Sequence, residues 1–374
     1  ELPKDTAGQA GSGTLFQQTI RWHGKRLALW RAVWVTAAFL VGGVIVRGGE
    51  ILDDAFGVKK IASGCKFTEG PAVDGDGNLF FSDGPNDRIM RLVPDGTLSV
   101  LHQPAGKANG TLFDNQGRLL MCQSGGEGGR RRVARLEPDG SETVMADTYN
   151  GKPFISPNDL CIDRQGRIYF TDPYYGSAYE KSQPVAGVYR IDAPGEVTLV
   201  VDDLARPNGI VITPDNRLVY VSDRGSQKLH RYRVKADGGL EADGGLEGDG
   251  VLYDFSPDRG IDGMWLDVEG NVFGAAGKGE TSGLFVISPS GKLLLHKPMP
   301  EFSTNVVFGG PQMRDVYLTA STSVYKMRSL TAGVRPAAFE RSQSGPSDFK
   351  TDFLRLCETA CRELNLEPRK PPRH

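Results

Sequence analysis

The stretch Ile162-Asp-Arg-Gln-Gly-Arg-Ile-Tyr-Phe-Thr-Asp172 decides the fold, because variants of it recur along the chain. An apolar residue leads into a turn rich in Asp, Gly and Asn, and a strand of aromatic and β-branched residues follows, which is the hairpin pattern. Six copies align, and they begin at Val73, Phe113, Ile162, Ile212, Leu266 and, for the strand alone, Asp315. A repeat of this length decides the architecture before any other signal.

Each copy continues into further turn-bounded strands, so one repeat corresponds to a four-stranded β-sheet. A single such sheet cannot bury both of its faces, whereas six packed around an axis bury them and protect their edges. We therefore predict an all-β fold, a six-bladed β-propeller with four-stranded blades. The glycine content agrees with this many turns: 48 of the 374 residues are Gly, nearly twice the usual share.

Composition excludes several classes of protein. The chain has 39% hydrophobic and 24% charged residues, a balance that disordered chains do not have. Its 44 Lys and Arg are matched by 46 Asp and Glu, for a net charge of -2. Nucleic-acid binding is not expected, since it requires a basic surface.

The two ends of the chain differ from the repeat, and we predict three regions: an extension at 1-50, the propeller at 51-330 and a tail at 331-374. Counting back across Arg31, the apolar run at 27-46 is long enough to span a bilayer. It is interpreted as an export signal or membrane anchor, with an extra packed element as the alternative. The protein would be periplasmic, exported or anchored in the first case and cytoplasmic in the second. The tail, with Cys357 and Cys361, is expected to form one short helix.

One register of the repeat carries oxygen-bearing side chains in every copy, five residues before the residue that opens the turn. These residues are Glu69, Asn109, Asn158, Asn208, Asp262 and Asn305. Equivalent positions at the starts of innermost strands converge on the axis of a propeller, so the sequence predicts a central metal site. Two carboxylates without sulfur or imidazole suit a hard cation, and Ca²⁺ is preferred over Mg²⁺ because it accepts loose oxygen coordination. The alternative is that Asn and Asp merely open turns, which explains one copy better than six in phase.

Other catalytic chemistries have little support in the residues. No Gly-x-Ser-x-Gly motif occurs, and the five His share no phase of the repeat. Neither a histidine-based triad nor a zinc site is expected.

Several loops resemble those of the gluconolactonase and regucalcin (senescence marker protein) family of six-bladed propellers, the bacterial gluconolactonases above all. The resemblance covers about residues 58 to 328. It is carried by Phe67-Thr-Glu-Gly-Pro71, Ser156-Pro-Asn-Asp-Leu160, Thr171-Asp-Pro-Tyr-Tyr-Gly176, Arg206-Pro-Asn-Gly209, Ile261-Asp-Gly-Met264 and Ser303-Thr-Asn-Val-Val-Phe-Gly-Gly310.

The resemblance implies a set of functional residues. The metal ligands would be Glu69, Asn158, Asn208 and Asp262, and the ion would be Ca²⁺ or, as in some members, Zn²⁺, Mg²⁺ or Mn²⁺. Asp262 would also act as the general base, and Asn109 would lie in the substrate pocket. Asn305, from the same register of the repeat, is a further candidate for substrate binding. The animal members have Arg where this chain has Ser156, so we expect Arg206 or Tyr174 to contact the substrate instead.

The predicted activity is that of a lactonase, a carboxylic ester hydrolase that opens a gluconolactone-like sugar lactone to the aldonic acid. The partner is thus a small-molecule lactone, and membrane contact is expected only through the N-terminal run. Two alternatives stay open: a related hydrolase of other esters or phosphotriesters, and a non-catalytic binding module with a structural ion. The oligomeric state is not predicted.

Overall fold

The computed structural model describes residues 51-176, 181-243 and 250-335. The apolar run at 27-46 and the tail beyond residue 335, with both of its cysteines, lie outside the described residues. Secondary structure in the described part is β apart from two 3₁₀ turns, Gly84–Asn86 and Gly279–Thr281.

Within those ranges, no helix has the length and apolar character needed to span a membrane.

The strands of the described residues follow one another at short intervals. In chain order they are β1 (Lys59–Ala62), β2 (Thr68–Val73), β3 (Leu79–Asp83), β4 (Arg88–Leu92), β5 (Leu98–His102), β6 (Ala108–Phe113), β7 (Leu119–Gln123), β8 (Arg132–Leu136), β9 (Glu142–Ala146), β10 (Thr148–Tyr149), β11 (Lys152–Pro153), β12 (Leu160–Ile162), β13 (Ile168–Asp172), β14 (Gly187–Ala193), β15 (Glu196–Val201), β16 (Pro207–Ile212), β17 (Leu218–Asp223), β18 (Lys228–Val234), β19 (Leu240–Ala242), β20 (Val251–Asp254), β21 (Met264–Leu266), β22 (Val272–Ala276), β23 (Gly283–Ile287), β24 (Leu293–Pro298), β25 (Ser303–Gly309), β26 (Asp315–Ala320) and β27 (Ser323–Arg328).

Antiparallel sheets of consecutive strands form the blades. Blades 1, 2, 3 and 5 consist of β2–β5, β6–β9, β12–β15 and β21–β24. Blade 4 consists of β16–β18 with a divided outer edge, because β19 and β20 pair with successive parts of β18. The hairpin of β10 and β11 stands between blades 2 and 3.

Blade 6 is completed by the first strand of the described chain. Its sheet runs β25, β26, β27 and then β1, with Lys60 opposite Tyr325. The innermost strands neighbour one another in the cyclic order β2, β6, β12, β16, β21, β25 and back to β2. The predicted six-bladed propeller with four-stranded blades is confirmed, with a fifth strand in blade 4.

Local turn chemistry explains why the repeat has an acid directly after four of its six innermost strands. The Asp163 carboxylate accepts the backbone N–H groups of Gln165 and Arg167. Asp267 does the same for Glu269 and Asn271. Such Asx turns reverse the chain in few residues, so each innermost strand is followed at once by its antiparallel partner.

The hydrophobic core is divided among the contacts between blades. Six buried clusters lie one between each pair of neighbouring blades. Trp265 packs against four of them and donates its Nε1–H to the Val334 carbonyl at 2.8 Å. It also lines a cavity of about 670 Å³ at the turn end of the innermost strands. The oxygen-bearing residues lie toward the other end, where the innermost strands start.

Candidate functional site

The six oxygen-bearing residues lie at, or just before, the starts of the innermost strands, as the repeat predicts. Five of them are at most 7% exposed and Asn109 is half-buried. The five are Glu69, Asn158, Asn208, Asp262 and Asn305. Polar side chains this buried require partners, and they meet at one end of the axis.

Backbone contacts between blades hold this end together. The Gly110 N–H donates to the Asn158 carbonyl and the Gly209 N–H donates to the Asp262 carbonyl, both at 2.7 Å. A Cβ on Gly110 would lie 2.6 Å from the Asn158 oxygen, and one on Gly209 would overlap the Asp262 oxygen. Glycine therefore follows the oxygen-bearing residue because neighbouring innermost strands approach each other there.

Two of the converging side chains are buried acids, Glu69 and Asp262. Burial raises the pKa of Glu69 well above its usual value, and the negative charge of Asp262 raises it further. The Gly70 N–H, 3.0 Å from Oε2, works in the opposite direction. Two acids desolvated together favour either a proton or a cation between them.

Asp262 is held by two guanidinium groups. Arg259 Nη1 lies 2.7 Å and Arg224 Nη1 lies 3.3 Å from Oδ2 of Asp262. Arg259 is 8% exposed, and it also donates to the carbonyls of Gly277 and Ser303, each at 2.6 Å. Its guanidinium thus has a partner in each direction, and the Asp262 carboxylate is fixed relative to blade 6.

A second repeated position supports the loops that present the ligands. The acid at the end of the second strand accepts backbone N–H groups two and three residues before the oxygen-bearing residue. It is Asp83 in blade 1, Asp172 in blade 3 and Asp223 in blade 4. Blade 5 has Ala276 at this position, and there Arg259 takes over the support of the loop.

These supporting acids differ in their surroundings. Burial raises the pKa of Asp172 to about 7. The pKa of Asp83 is lowered despite burial, because Asn86, Arg88 and two backbone N–H groups donate to it. The same position in the repeat therefore holds one acid whose pKa is raised and one whose pKa is lowered.

Asp159 is a further acid of this site, and the sequence reasoning missed it. Burial raises its pKa to about 7, and its Oδ2 lies 3.5 Å from Asn305 Nδ2. It follows Asn158 at the position where Gly70, Gly110, Gly209 and Gly263 follow their oxygen-bearing residues. The sequence did carry a signal for Asp159, because an acid stands there at a repeat position that is glycine in four other blades.

Aromatic and basic side chains of blades 3 and 4 surround Asn208. The Tyr175 hydroxyl contacts the Asn208 amide nitrogen, and the Tyr175 ring is 39% exposed. The guanidinium carbons of Arg206 and Arg224 lie 5.5 and 6.0 Å from that ring. Sequence reasoning named Tyr174 and Arg206, and it missed Tyr175, Arg224 and Arg259, which no local pattern marks.

The donor set is not a conventional cluster of acids and histidines. Among residues 51-176, 181-243 and 250-335, no group of three or more His, Cys, Asp or Glu side chains is arranged to hold a metal ion. The predicted ligand set contains two such residues, Glu69 and Asp262, and its other two donors are amides.

The fold and this site define a class: six-bladed β-propellers with carboxylate and amide oxygens gathered at one end of the axis. The chain belongs to the SMP-30/Gluconolactonase/LRE-like family, whose model matches residues 67–322. The resemblance found in the loop motifs is thus confirmed.

Named relatives agree with this assignment. A gluconolactonase of Zymomonas mobilis is 31% identical over 319 residues, covering 77% of this chain and 85% of the relative. The solved structure of a Xanthomonas campestris gluconolactonase is 28% identical and covers 73% of this chain and 89% of that one, with a TM-score of 0.65. A calcium-binding regucalcin of Agrobacterium tumefaciens, 19% identical over 75% of this chain and 97% of its own, shares the fold with a TM-score of 0.62. The predicted enzyme class, a lactonase, is confirmed.

Proposed function

We propose that this protein hydrolyses a sugar lactone of the gluconolactone type to the aldonic acid, at the axial site, with a divalent cation. The observation that carries the proposal is the convergence of two buried acids with buried amides at one end of the axis. The proposed ligands are Glu69, Asn158, Asn208 and Asp262.

The residues present fit a hard cation. Four oxygen donors, two of them carboxylates, match the preference of Ca²⁺, with Mg²⁺, Mn²⁺ and Zn²⁺ as alternatives. Burial and the charge of Asp262 raise the pKa of Glu69, and a bound cation would favour the ionised form. Bound there, the cation would polarise the lactone carbonyl.

Asp262 is the proposed general base. Among the described residues, the hydrogen bonds donated to this carboxylate by Arg259 and Arg224 both fall on Oδ2. Oδ1 is therefore available to accept a proton from the attacking water. The water oxygen bonds to the carbonyl carbon, the ring C–O bond breaks, and the released oxygen gains a proton to give the hydroxy acid.

The rest of the pocket is assigned to the substrate. Asn109, half-buried, and Asn305 offer amide groups for the sugar hydroxyls. Arg206 and Tyr174 are proposed as further substrate contacts, and Tyr175 joins them because its hydroxyl touches Asn208. Amides and hydroxyls that hold a polyol in one orientation give specificity as well as affinity.

The test measures acid release from gluconolactone above the spontaneous rate, with and without Ca²⁺. We expect a chelator to abolish turnover while circular dichroism still reports the β fold. Glu69→Gln should raise the Ca²⁺ concentration needed for half-maximal rate. Asp76→Asn, the same change at an exposed turn, should leave it unaltered. A Glu69→Gln enzyme with full rate at unchanged Ca²⁺ demand would refute the proposed site.

A further inference from the structure

Blade 4 carries two arginines side by side at the mouth of the site. Arg206 lies two residues before Asn208, and Arg224 follows the last residue of β17. The Arg224 N–H donates to the Arg206 carbonyl at 3.0 Å, and the Asp223 carboxylate accepts the Arg206 N–H at 2.7 Å. Hydrogen bonds thus fix the backbones of both arginines to the sheet. Binding side chains are held in a defined position when they start from a rigid element.

Tyr175 connects the two arginines to the axial oxygens. Its ring lies 5.5 Å from the Arg206 guanidinium and 6.0 Å from that of Arg224, while its hydroxyl touches Asn208. Arg224 also reaches the axis itself, since its Nη1 lies 3.3 Å from Asp262 Oδ2, whereas Arg206 is linked to the axial oxygens through the Tyr175 ring. A lactone with its carbonyl at the axis would have Arg206 within reach of its far end.

The two arginines differ in how their charge is used. Arg224 is 24% exposed and is paired with Asp262. Arg206 is exposed, and no ion pair joins it to an acid of the described residues. An exposed guanidinium on an aromatic face, without an acidic partner and beside a substrate site, is suited to bind an anionic group in two hydrogen bonds.

We propose that the substrate is a lactone bearing a carboxylate, sulfonate or phosphate on the carbon farthest from the lactone carbonyl, and that Arg206 binds this group. The inference rests on the proposed lactonase function and narrows its substrate class. Arg224 and Arg259 are already paired with Asp262, so Arg206 is the guanidinium of the three that can attract an anionic group on the substrate.

The repeat itself offers a matched control. Lys107 occupies in blade 2 the position that Arg206 occupies in blade 4, two residues before the oxygen-bearing residue. Its Nζ donates to the Pro85 carbonyl at 3.2 Å. Lys107→Gln thus removes a charge of the same sign at an equivalent place, away from Tyr175.

The experiment compares kcat/KM for gluconolactone with that for the same ring carrying a carboxylate, sulfonate or phosphate at its sixth carbon. For the unmodified protein we expect at least one charged lactone to be preferred by about tenfold or more, with the preference falling as salt rises. Arg206→Gln should reduce this ratio by about tenfold, mainly through KM, and Arg206→Lys by less. Which charged lactone is best identifies the group.

Three results would overturn the inference while leaving lactone hydrolysis intact. The first is that the unmodified protein turns over gluconolactone as well as, or better than, every charged lactone. The second is that Arg206→Gln leaves the ratio of the two kcat/KM values unchanged. The third is that Lys107→Gln reduces this ratio as much as Arg206→Gln does. If no lactone of either kind is turned over with any divalent cation, the proposed function fails and this inference fails with it.

Discussion

Blades 4 and 5 bring neighbouring oxygens to the axis but support them with opposite charges. In blade 4 the loop before Asn208 is held by a carboxylate, Asp223, which accepts two of its backbone N–H groups. In blade 5 the loop before Asp262 is held by a buried guanidinium, Arg259, which donates to Asp262 itself and to two carbonyls.

The difference follows from the ligand that each blade supplies. Asn208 is neutral, so its loop needs only an acceptor for free backbone N–H groups. Asp262 is a buried acid, and a buried charge is tolerated only with a partner. The charge of the ligand does not decide the support by itself, because Glu69 in blade 1 is also an acid and its loop is held by the carboxylate of Asp83. What distinguishes blade 5 is that the supporting residue pairs with the ligand itself.

The largest effect is expected where blade 5 has both a ligand and the proposed base. Asp262→Asn should lower kcat by about 10²–10⁴-fold at every Ca²⁺ concentration, because an amide cannot accept the proton. Asn208→Ala should instead weaken Ca²⁺ binding, so that its rate recovers at high Ca²⁺. The measurement is initial rate against Ca²⁺ for both variants. Recovery of Asp262→Asn at high Ca²⁺ would contradict the role of base.

The support in blade 5 is the next point at which the comparison can be tested. Arg259→Met should cost about 3–5 kcal/mol of unfolding free energy without metal, because Asp262 loses a buried partner. Asp223→Asn should cost less, since one acceptor oxygen remains. Urea unfolding of both variants gives the two values.

Two further observations belong to the same test. Added Ca²⁺ should stabilise Arg259→Met more than the unmodified protein, because the cation compensates part of the exposed negative charge. Arg259→Lys should not restore stability, since an ammonium cannot reach Asp262, Gly277 and Ser303 at once. Equal costs for Arg259→Met and Asp223→Asn would remove the distinction between the blades.

A glycine at the contact between the two blades gives the third prediction. Gly209→Ala should destabilise the protein by about 2 kcal/mol, because the added Cβ overlaps the Asp262 carbonyl oxygen of the next blade. Gly75→Ala is the control, since nothing lies within 4 Å of a Cβ there. Thermal unfolding should separate the two variants. If Gly209→Ala were as stable as Gly75→Ala, the close contact between blades 4 and 5 at this position would be contradicted.

The smallest effect concerns pH and the carboxylate type of support. The pKa of Asp172 rises from its usual 3.8 to about 7 on folding, so the folded state holds the proton more tightly. Stability from this group is present at low pH and is lost as pH rises through about 7. Asp172→Asn should therefore flatten the decline of unfolding free energy between about pH 4 and 7.

Asp83 is the control for that measurement, because its pKa is shifted in the opposite direction. Its pKa is lowered in the folded state, so its contribution is present above the usual pKa and is lost as pH falls below it. Asp83→Asn should change the unfolding curve only on the acid side. Urea titrations at several pH values compare the two variants, and identical profiles would contradict the assigned shifts.

The sequence predicts the blades well because their information is local. Asp163 and Asp267 reverse the chain through N–H groups two and four residues away, so each turn can be read from a short stretch. The positions of the six oxygen-bearing residues follow from the same repeat. That four of them bind a metal stays a prediction, since metal binding depends on chemistry that spacing alone does not test.

The missed residues act across blades. Arg259 matters because its Nη2 reaches Ser303 in blade 6, and Tyr175 because its hydroxyl reaches Asn208 in blade 4. Those contacts exist only once the ring has closed, so nothing near either residue in the sequence reveals them. Asp159 is different, since its place in the glycine register was visible.

The pairing of β1 with β27 has a consequence for how the protein is made. Lys59–Ala62 leaves the ribosome among the first described residues, yet its partner Ser323–Arg328 comes last of the strands. Blade 6 cannot be finished until nearly the whole propeller has been synthesised. Until then β27 has an unpaired edge, and unpaired edges invite pairing with other chains. A truncation that removes Lys59–Ala62 takes away the outer strand of blade 6, so it should leave β27 unpaired and make the protein prone to aggregate.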